Sequence, residues 1–312
     1  MARLHRREAR ITHTPASRPK ASPSASRARL VHGLHSNRGV RADIDEAKLR
    51  DEAIEIALDA GRLLMGGFRG ETGARAKGAG GDLVTVLDQR GEAFLAARLG
   101  ALLPEASFVG EERGGEASAL AWHVDPIDGT GNFAHGHPWF CLSIGLFAEG
   151  AARLGVIHAP AMGLTYAAAR GRGATRNGAP IGVSATERLE DALLAPGFPH
   201  DRATRPDNNY AEFRALDART HGVRRCAAAA LELALVADGG YDGFWDRGLS
   251  SWDVAAALSL IDEAGGRVTH LSGAPFALAP KVDIAATNGR LHPALLDALS
   301  HDPRLPAEDL VQ

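Results

Sequence analysis

The run Trp122-His123-Val124-Asp125-Pro126-Ile127-Asp128-Gly129-Thr130-Gly131-Asn132-Phe133 narrows the possible folds more than any other stretch of the chain. Apolar residues of the kind that fill a core strand lead straight into two carboxylates. Residues three apart would share a helix face, but Pro126 lacks a backbone donor and biases Asp125 towards extended geometry. The pair is therefore expected on a tight turn at a strand end. Gly129 is free to take a backbone conformation closed to other residues, and Thr130 is placed to begin a helix or turn. Asp-Pro and Asp-Gly also serve as plain turn formers. Carboxylates crowded this way repel unless a proton or a cation lies between them.

Other acidic groups bear on that choice. "FVGEERGG" sets Glu111 and Glu112 behind a strand and Gly110. "SWDVAAALSLIDEAGG" sets Asp253 in the first turn of an amphipathic helix capped by Ser250 or Ser251, where a carboxylate also suits the helix dipole alone. "GGDLVTVLD" adds Asp82, Thr85 and Asp88. Each is ordinary in isolation. Together they offer oxygen ligands, with no His or Cys at ligand spacing, which favours Mg²⁺ over Zn²⁺. A few carboxylates completed by water and substrate phosphate are the usual setting for magnesium in phosphoryl chemistry.

The rest of the chain supplies elements to carry such a site. Leu49, Ala53, Ile56, Ala60 and Leu64 recur at helical spacing from Asp45 until Gly66-Gly67, and a second helical pattern runs through Phe94, Ala97 and Leu102. Between them, "GARAKGAGGD" reads as a flexible segment. Strands are expected at Ser107–Val109, Trp122–Val124, Cys141–Phe147, Ala152–His158 and Leu164–Ala168, and Asn177-Gly178 signals a hairpin. Beyond Pro180 the order is mixed: a strand near Leu193–Ala195, helices over Ala229–Ala237 and Trp252–Ala264, strands near Arg267–His270 and Asp283–Ala286, and a last helix from His292. Helices flanking sheets in this order imply a layered α+β or α/β sandwich whose two halves share one site.

Charge divides the chain unevenly. Residues 1–42 hold ten Lys and Arg against Glu8 alone, a charge of +9, which leaves the body with 25 basic and 37 acidic residues, or −12. An acidic body suits cations better than nucleic acid. The basic segment, rich in Arg, Ser and Pro, is expected to be a disordered tail, and it lacks aromatic residues on which bases could stack. It is open to reading as a transit peptide, a basic interaction arm, or upstream sequence read through from a wrongly chosen start. With no run of roughly 20 apolar residues and no apolar signal core, a cytoplasmic protein without membrane contact is expected. Cys141 and Cys226 sit in apolar runs and read as buried thiols.

"GEE", "WHVDPIDGTGNF" and "WDVAAALSLIDEAGG", in that order, resemble the inositol monophosphatase family of magnesium-dependent, lithium-sensitive phosphatases. The resemblance implies a layered α-β-α-β-α sandwich of the sugar-phosphatase type, with mixed and antiparallel sheets, over residues 43–302, flanked by the tail 1–42 and a C-terminal tail 303–312. It implies two to three Mg²⁺ ions: a first held by Glu111, Asp125 and the Ile127 carbonyl, a second by Asp125, Asp128 and Asp253, and a weaker third involving Glu111. Thr130, assisted by Asp88, would orient the attacking water, with Glu111 contributing to catalysis. Gly129 and Thr130 would receive the phosphate, and Asp128, Asp246 and Ala229 would meet the rest of the substrate. Lys77 matches a family lysine near the metal loop. The substrate implied is a small phosphate monoester, foremost inositol 1-phosphate, and the assembly a homodimer.

Two departures weaken the specificity part. Asp246 stands where inositol-specific relatives usually carry a longer glutamate, and Ala227-Ala228 where they have Gly followed by Ser or Thr. A sibling phosphatase acting on histidinol phosphate, fructose 1,6-bisphosphate or a nucleotide 3′,5′-bisphosphate is the alternative. A non-enzymatic partner or nucleic-acid-binding protein using the basic tail is the alternative of another class. Arg202, in "GFPHDR", is open to reading as a substrate-side or interface residue, with a surface ion pair the favoured reading.

Overall fold

The computed structural model describes residues 45–70, 73–76 and 83–300. The expected tails at 1–42 and 303–312, with Lys77 and Asp82, lie outside the described residues. Asp45 caps α1 (Glu46–Met65), accepting from the Lys48 amide at 3.2 Å, and the five apolar positions read at helical spacing are all buried. A short antiparallel pair, β1 (Arg75–Ala76) and β2 (Leu83–Val84), precedes α2 (Val86–Leu102). This helix begins inside the "LVTVLD" run, with Thr85 as its cap and Asp88 in its first turn.

A seven-stranded sheet follows, its strands adjacent in chain order: β3 (Ser107–Gly110), β4 (Leu120–Asp128), β5 (Cys141–Ala148), β6 (Ala151–Ala159), β7 (Leu164–Ala169), β8 (Ala174–Arg176) and β9 (Ala179–Pro180). A one-turn helix, α3 (Thr130–Ala134), interrupts the path between β4 and β5. Only β3 and β4 run parallel. Asn177 and Gly178, with φ of 50° and 79°, make the β8–β9 turn, so the sequence signal marks a hairpin as expected.

The second half contains β10 (Leu193–Pro196), α4 (Tyr210–Asp217), β11 (Gly222–Val223), α5 (Ala229–Ala237), β12 (Gly243–Ser250), α6 (Ser251–Glu263), β13 (Arg267–Thr269), β14 (Lys281–Thr287) and α7 (His292–Ser300). Its mixed five-stranded sheet has the order β11-β10-β12-β14-β13. The central strand β12 and helix α4 were not expected. "GFWDRGLS" carries Asp246 and Arg247 in mid-strand, which breaks the apolar run by which a strand is read.

Packing arranges these parts in five layers. Helices α1 and α2 cover one face of the large sheet, burying Leu64, Leu95, Trp122, Val124 and Ile144. The other face meets α5 and α6, which in turn carry the small sheet, around Ile157, Tyr166, Leu233, Leu260 and Ile284. Trp245, Leu216 and Leu295 join that sheet to α4 and α7. The α-β-α-β-α sandwich implied by the resemblance is the fold observed.

Close approach at the middle interface depends on two glycines. A Cβ at Gly145 would lie 2.7 Å from the backbone of Ala255, and one at Gly155 would lie 2.7 Å from the carbonyl carbon of Ala256. At these two points the backbone of α6 comes directly against β5 and β6, with the Ala255 methyl beside it at Gly145.

Candidate active site

Asp125 and Asp128 are not on a turn, as expected, but inside the end of β4, where the pairing with β5 is irregular. Asp125 stands opposite Ser143 and Asp128 opposite Cys141, so three steps along β4 match two along β5, as in a β-bulge. The Asp125 carboxylate accepts from the Ile127 amide at 2.9 Å. Gly129 follows at φ 87°, in the left-handed region, and releases the chain into α3. A Cβ there would sit 3.1 Å from the Trp139 carbonyl oxygen, so both backbone angle and space call for glycine.

Asp128 reaches the start of α5, accepting from the Ala229 and Ala230 amides at 3.1 and 2.7 Å. Burial still pushes its carboxyl up to about 6, against the pull of these donors. Asp253 folds back on its own helix start, taking the Ser250 amide at 2.7 Å. Glu111 comes from the tip of a hairpin whose sides, Gly110 and Gly114, exchange both backbone hydrogen bonds at 3.1 Å.

These acidic groups lean on one another. Burial first, then the charges of Glu111, Asp128 and Asp253, hold the Asp125 carboxyl well above its ordinary range. Asp253 is raised by burial and by Asp128 and Glu111, with Lys281 opposing. Lys281 is itself anchored to the Ser250 hydroxyl at 2.7 Å. Among the described residues no three of these groups form a ready-made metal cage. The donor set nonetheless fits hard cations: carboxylates and a carbonyl face one cavity, and Asp125 and Asp253 are raised by burial and then by neighbouring carboxylates whose repulsion positive charge would relieve.

A second group stands beside them. The Thr130 hydroxyl lies 3.0 Å from Asp88 Oδ1 and 2.8 Å from the Ile127 carbonyl oxygen. Asp88 is fixed in turn by the Thr85 amide and hydroxyl at 2.7 and 2.5 Å. Burial outweighs these donors and raises the Asp88 carboxyl.

Glu111, Asp125, Ile127, Asp128, Gly129, Thr130, Ser250, Asp253 and Lys281 line a cavity of about 1260 Å³ between the two halves, with Asp88 and Thr85 set behind them. Asp246 reaches its wall but is held by the Arg247 amide at 2.7 Å, and burial pushes it up to about 7. Ala227, where glycine is usual, has φ 61°, which costs an alanine about 1–2 kcal/mol. Ala229 lies on the wall and gives its amide to Asp128. Arg202 lines the cavity, as its substrate-side reading has it, and makes no ion pair among the described residues, against the favoured reading. Both cysteines are free, Cys141 buried but Cys226 only half-buried.

Sequence reasoning missed three residues that border these groups. Glu92 lies behind Glu111, and His123 reaches from β4 to the Ser251 hydroxyl at 2.9 Å, joining the strand of Asp125 to the helix of Asp253. Glu92 follows Asp88 by four positions, so a shared helix face was available as a signal. Nothing in the sequence marks the His123–Ser251 pair.

Glu232, buried beside Cys226, has its carboxyl pushed up to about 8 by burial. Its ordinary value is 4.5, so between pH 4.5 and 8 the folded state holds a proton that the unfolded state has lost. Its contribution to stability therefore falls as pH rises through that window. In metal-free buffer, Glu232→Gln should flatten the decline of urea-unfolding stability between pH 5 and 8; an unchanged slope would assign the decline elsewhere.

Comparison with known proteins follows the same lines. Residues 45–303 match the model of the inositol monophosphatase family. An inositol-1-monophosphatase of Synechocystis is 40% identical over 255 residues, covering 81% of this chain and 88% of the relative. A protein of Pseudomonas aeruginosa named Nus factor SuhB is 41% identical, covering 72% of this chain and 84% of its own. The solved inositol monophosphatase of Anabaena (Nostoc) superposes with a TM-score of 0.75 at 42% identity, over 82% of this chain and 96% of that one.

Proposed function

The chain belongs to the inositol monophosphatase family, and on that premise we propose that it hydrolyses phosphate monoesters with Mg²⁺, inositol 1-phosphate foremost. The observation that carries the reading is the meeting of Asp125, Asp128, Asp253 and Glu111 from three distant parts of the chain at one cavity. Glu111, Asp125 and the Ile127 carbonyl would hold one ion, and Asp125, Asp128 and Asp253 a second, with a weaker third at Glu111. When bound, such ions supply Lewis-acid charge neutralisation at the phosphate and at the departing oxygen.

The chain's own groups do the placing. Thr130, held by Asp88, orients the attacking water and passes its proton towards the Asp88 carboxylate. The water oxygen bonds to phosphorus as the bond to the ester oxygen breaks, and the departing oxygen takes a proton from a solvent water to leave as the free alcohol, while the proton on Asp88 returns to solvent. Amides at Gly129 and Thr130 receive phosphate oxygens. General base help of about 10²–10⁴-fold is small beside the up to ~10²¹-fold known for this reaction class, so charge and positioning carry most of it.

The cavity exceeds the roughly 300–1,000 Å³ of ordinary small-molecule sites. Arg202 and Arg225, the latter stacked 4.9 Å from the Phe198 ring centroid and acting on the Asp246 carboxyl, line it with no ion pair to either among the described residues. These features favour a second reading, in which a larger or doubly phosphorylated ester is the better substrate. A panel of phosphate esters assayed with Mg²⁺, with and without lithium, separates the two. Inositol 1-phosphate is expected to give the highest kcat/KM; a bisphosphate hydrolysed tenfold faster would overturn the choice of substrate while leaving the reaction intact.

A further inference from the structure

The hairpin that carries Glu111 is gripped from behind by a carboxylate without solvent exposure. Glu92, on α2, accepts from two successive amides at the hairpin tip, Glu112 at 2.7 Å and Arg113 at 2.8 Å. Successive amides turned to one point form a natural anion seat, here occupied by the protein's own side chain. Gly110 makes room for it: a Cβ at that position would lie 2.7 Å from the Glu92 carboxyl carbon.

The same face of α2 touches the site twice more. Asp88, one turn earlier, holds Thr130, and Gly91 lets the helix come against Pro126 in the β4 bulge. Three segments that bear on the cavity, the Glu111 hairpin, the bulge of β4 and the start of α3, are thus referenced to one helix. Of the three contacts, only Glu92 meets the Glu111 hairpin through charge-assisted bonds, which are about twice as strong as neutral ones.

We propose that Glu92 is the positioning residue for Glu111, fixing the hairpin tip so that the Glu111 carboxylate faces Asp125 before any cation arrives. The proposal rests on the reading of Glu111 as a cation ligand. It assigns Glu92 no contact with substrate or cation. Its work is to remove the cost of ordering the hairpin at the moment of binding.

The test compares Glu92→Gln, Gly110→Ala and Glu111→Gln in the full chain, using Mg²⁺ alone as the probe. Glutamine keeps the shape of Glu92 but presents one amide with a donor instead of an acceptor. Partners that orient a metal ligand typically cost about 10–100-fold in affinity when changed, and calorimetric Mg²⁺ affinity should fall by that order in Glu92→Gln and Gly110→Ala. Hydrogen exchange at Glu112 and Arg113 should quicken by about tenfold or more, the equivalent of one lost bond of about 1.4 kcal/mol. At saturating Mg²⁺, kcat of Glu92→Gln and Gly110→Ala should stay within about threefold of the parent, since positioning is then supplied by binding itself.

If Glu111→Gln weakens Mg²⁺ binding but the other two variants do not, the positioning role is wrong. If Glu111→Gln leaves Mg²⁺ binding unchanged, the ligand reading beneath it fails instead. A purely structural Glu92 would lower the melting temperature while tip exchange and Mg²⁺ affinity stayed as in the parent, which would also overturn the proposal.

Discussion

Asp253→Asn should lower Mg²⁺-dependent phosphate release by about 10³-fold or more, because charge stabilisation of several kcal/mol is lost and each 1.36 kcal/mol is tenfold in rate. Asparagine can still accept from the Ser250 amide, so the start of α6 keeps its cap. Asp125→Asn is expected to do at least as much harm, since that carboxyl meets Glu111, Asp128 and Asp253 together. Stability should move the other way. Each substitution removes a buried group whose charge is opposed by its neighbours, so the metal-free protein should melt no lower than the parent. The rise in melting temperature that Mg²⁺ gives the parent should disappear, as ligand linkage to the folded state requires. Phosphate release undiminished in both variants would sink the phosphatase reading.

Gly155→Val should destabilise the fold by about 3 kcal/mol, the upper end of what overpacking usually costs. Ordinary overpacking is relieved when a side chain changes rotamer. Here the obstacle is the backbone of α6 at Ala256, and a helix cannot bend away from one methyl without disturbing its own bonds. The helix also carries Asp253, so relief by sliding would move a charged group of the site. Urea unfolding should show a lower midpoint with unchanged slope, and the surviving folded fraction should bind Mg²⁺ less tightly. A midpoint within 0.5 kcal/mol of the parent on conversion, about the scatter of surface substitutions, would mean the two layers are looser than described.

Much of this was legible in the chain because local chemistry and global packing agree. The buried stripe of α1 repeats at helical spacing, the Asn177-Gly178 turn has the angles its residues favour, and Asp253 takes the first-turn place that Ser250 announces. Legibility failed where tertiary contacts override local pattern. Strand β12 carries Asp246 and Arg247 in its middle because Asn209 meets both and Glu212 pairs with Arg247, and these partners lie 35 to 38 residues upstream. Glu92 looks like one more helix surface carboxylate, yet it is fully buried because its partners lie about twenty residues downstream. The acidic residues of the site were readable by type. Their support was not, because support is a property of distances between layers.

The bulge in β4 has a consequence for what insertions and deletions can do. Side chains along a strand alternate between its two faces, so positions three apart normally look in opposite directions. The extra residue resets the count, and Asp125 and Asp128 both look towards α5 and α6, while Ile127 joins the core under α1 and α2. Odd and even exchange places at this one point. If β4 and β5 paired regularly through this point with all its residues kept, one carboxylate would turn into the oily side of the sheet, whereas loss of one residue between the aspartates would restore regular pairing and leave both on one face. Spacing and bulge are therefore tied to each other: three steps between the aspartates put both on one face only because the extra residue is there.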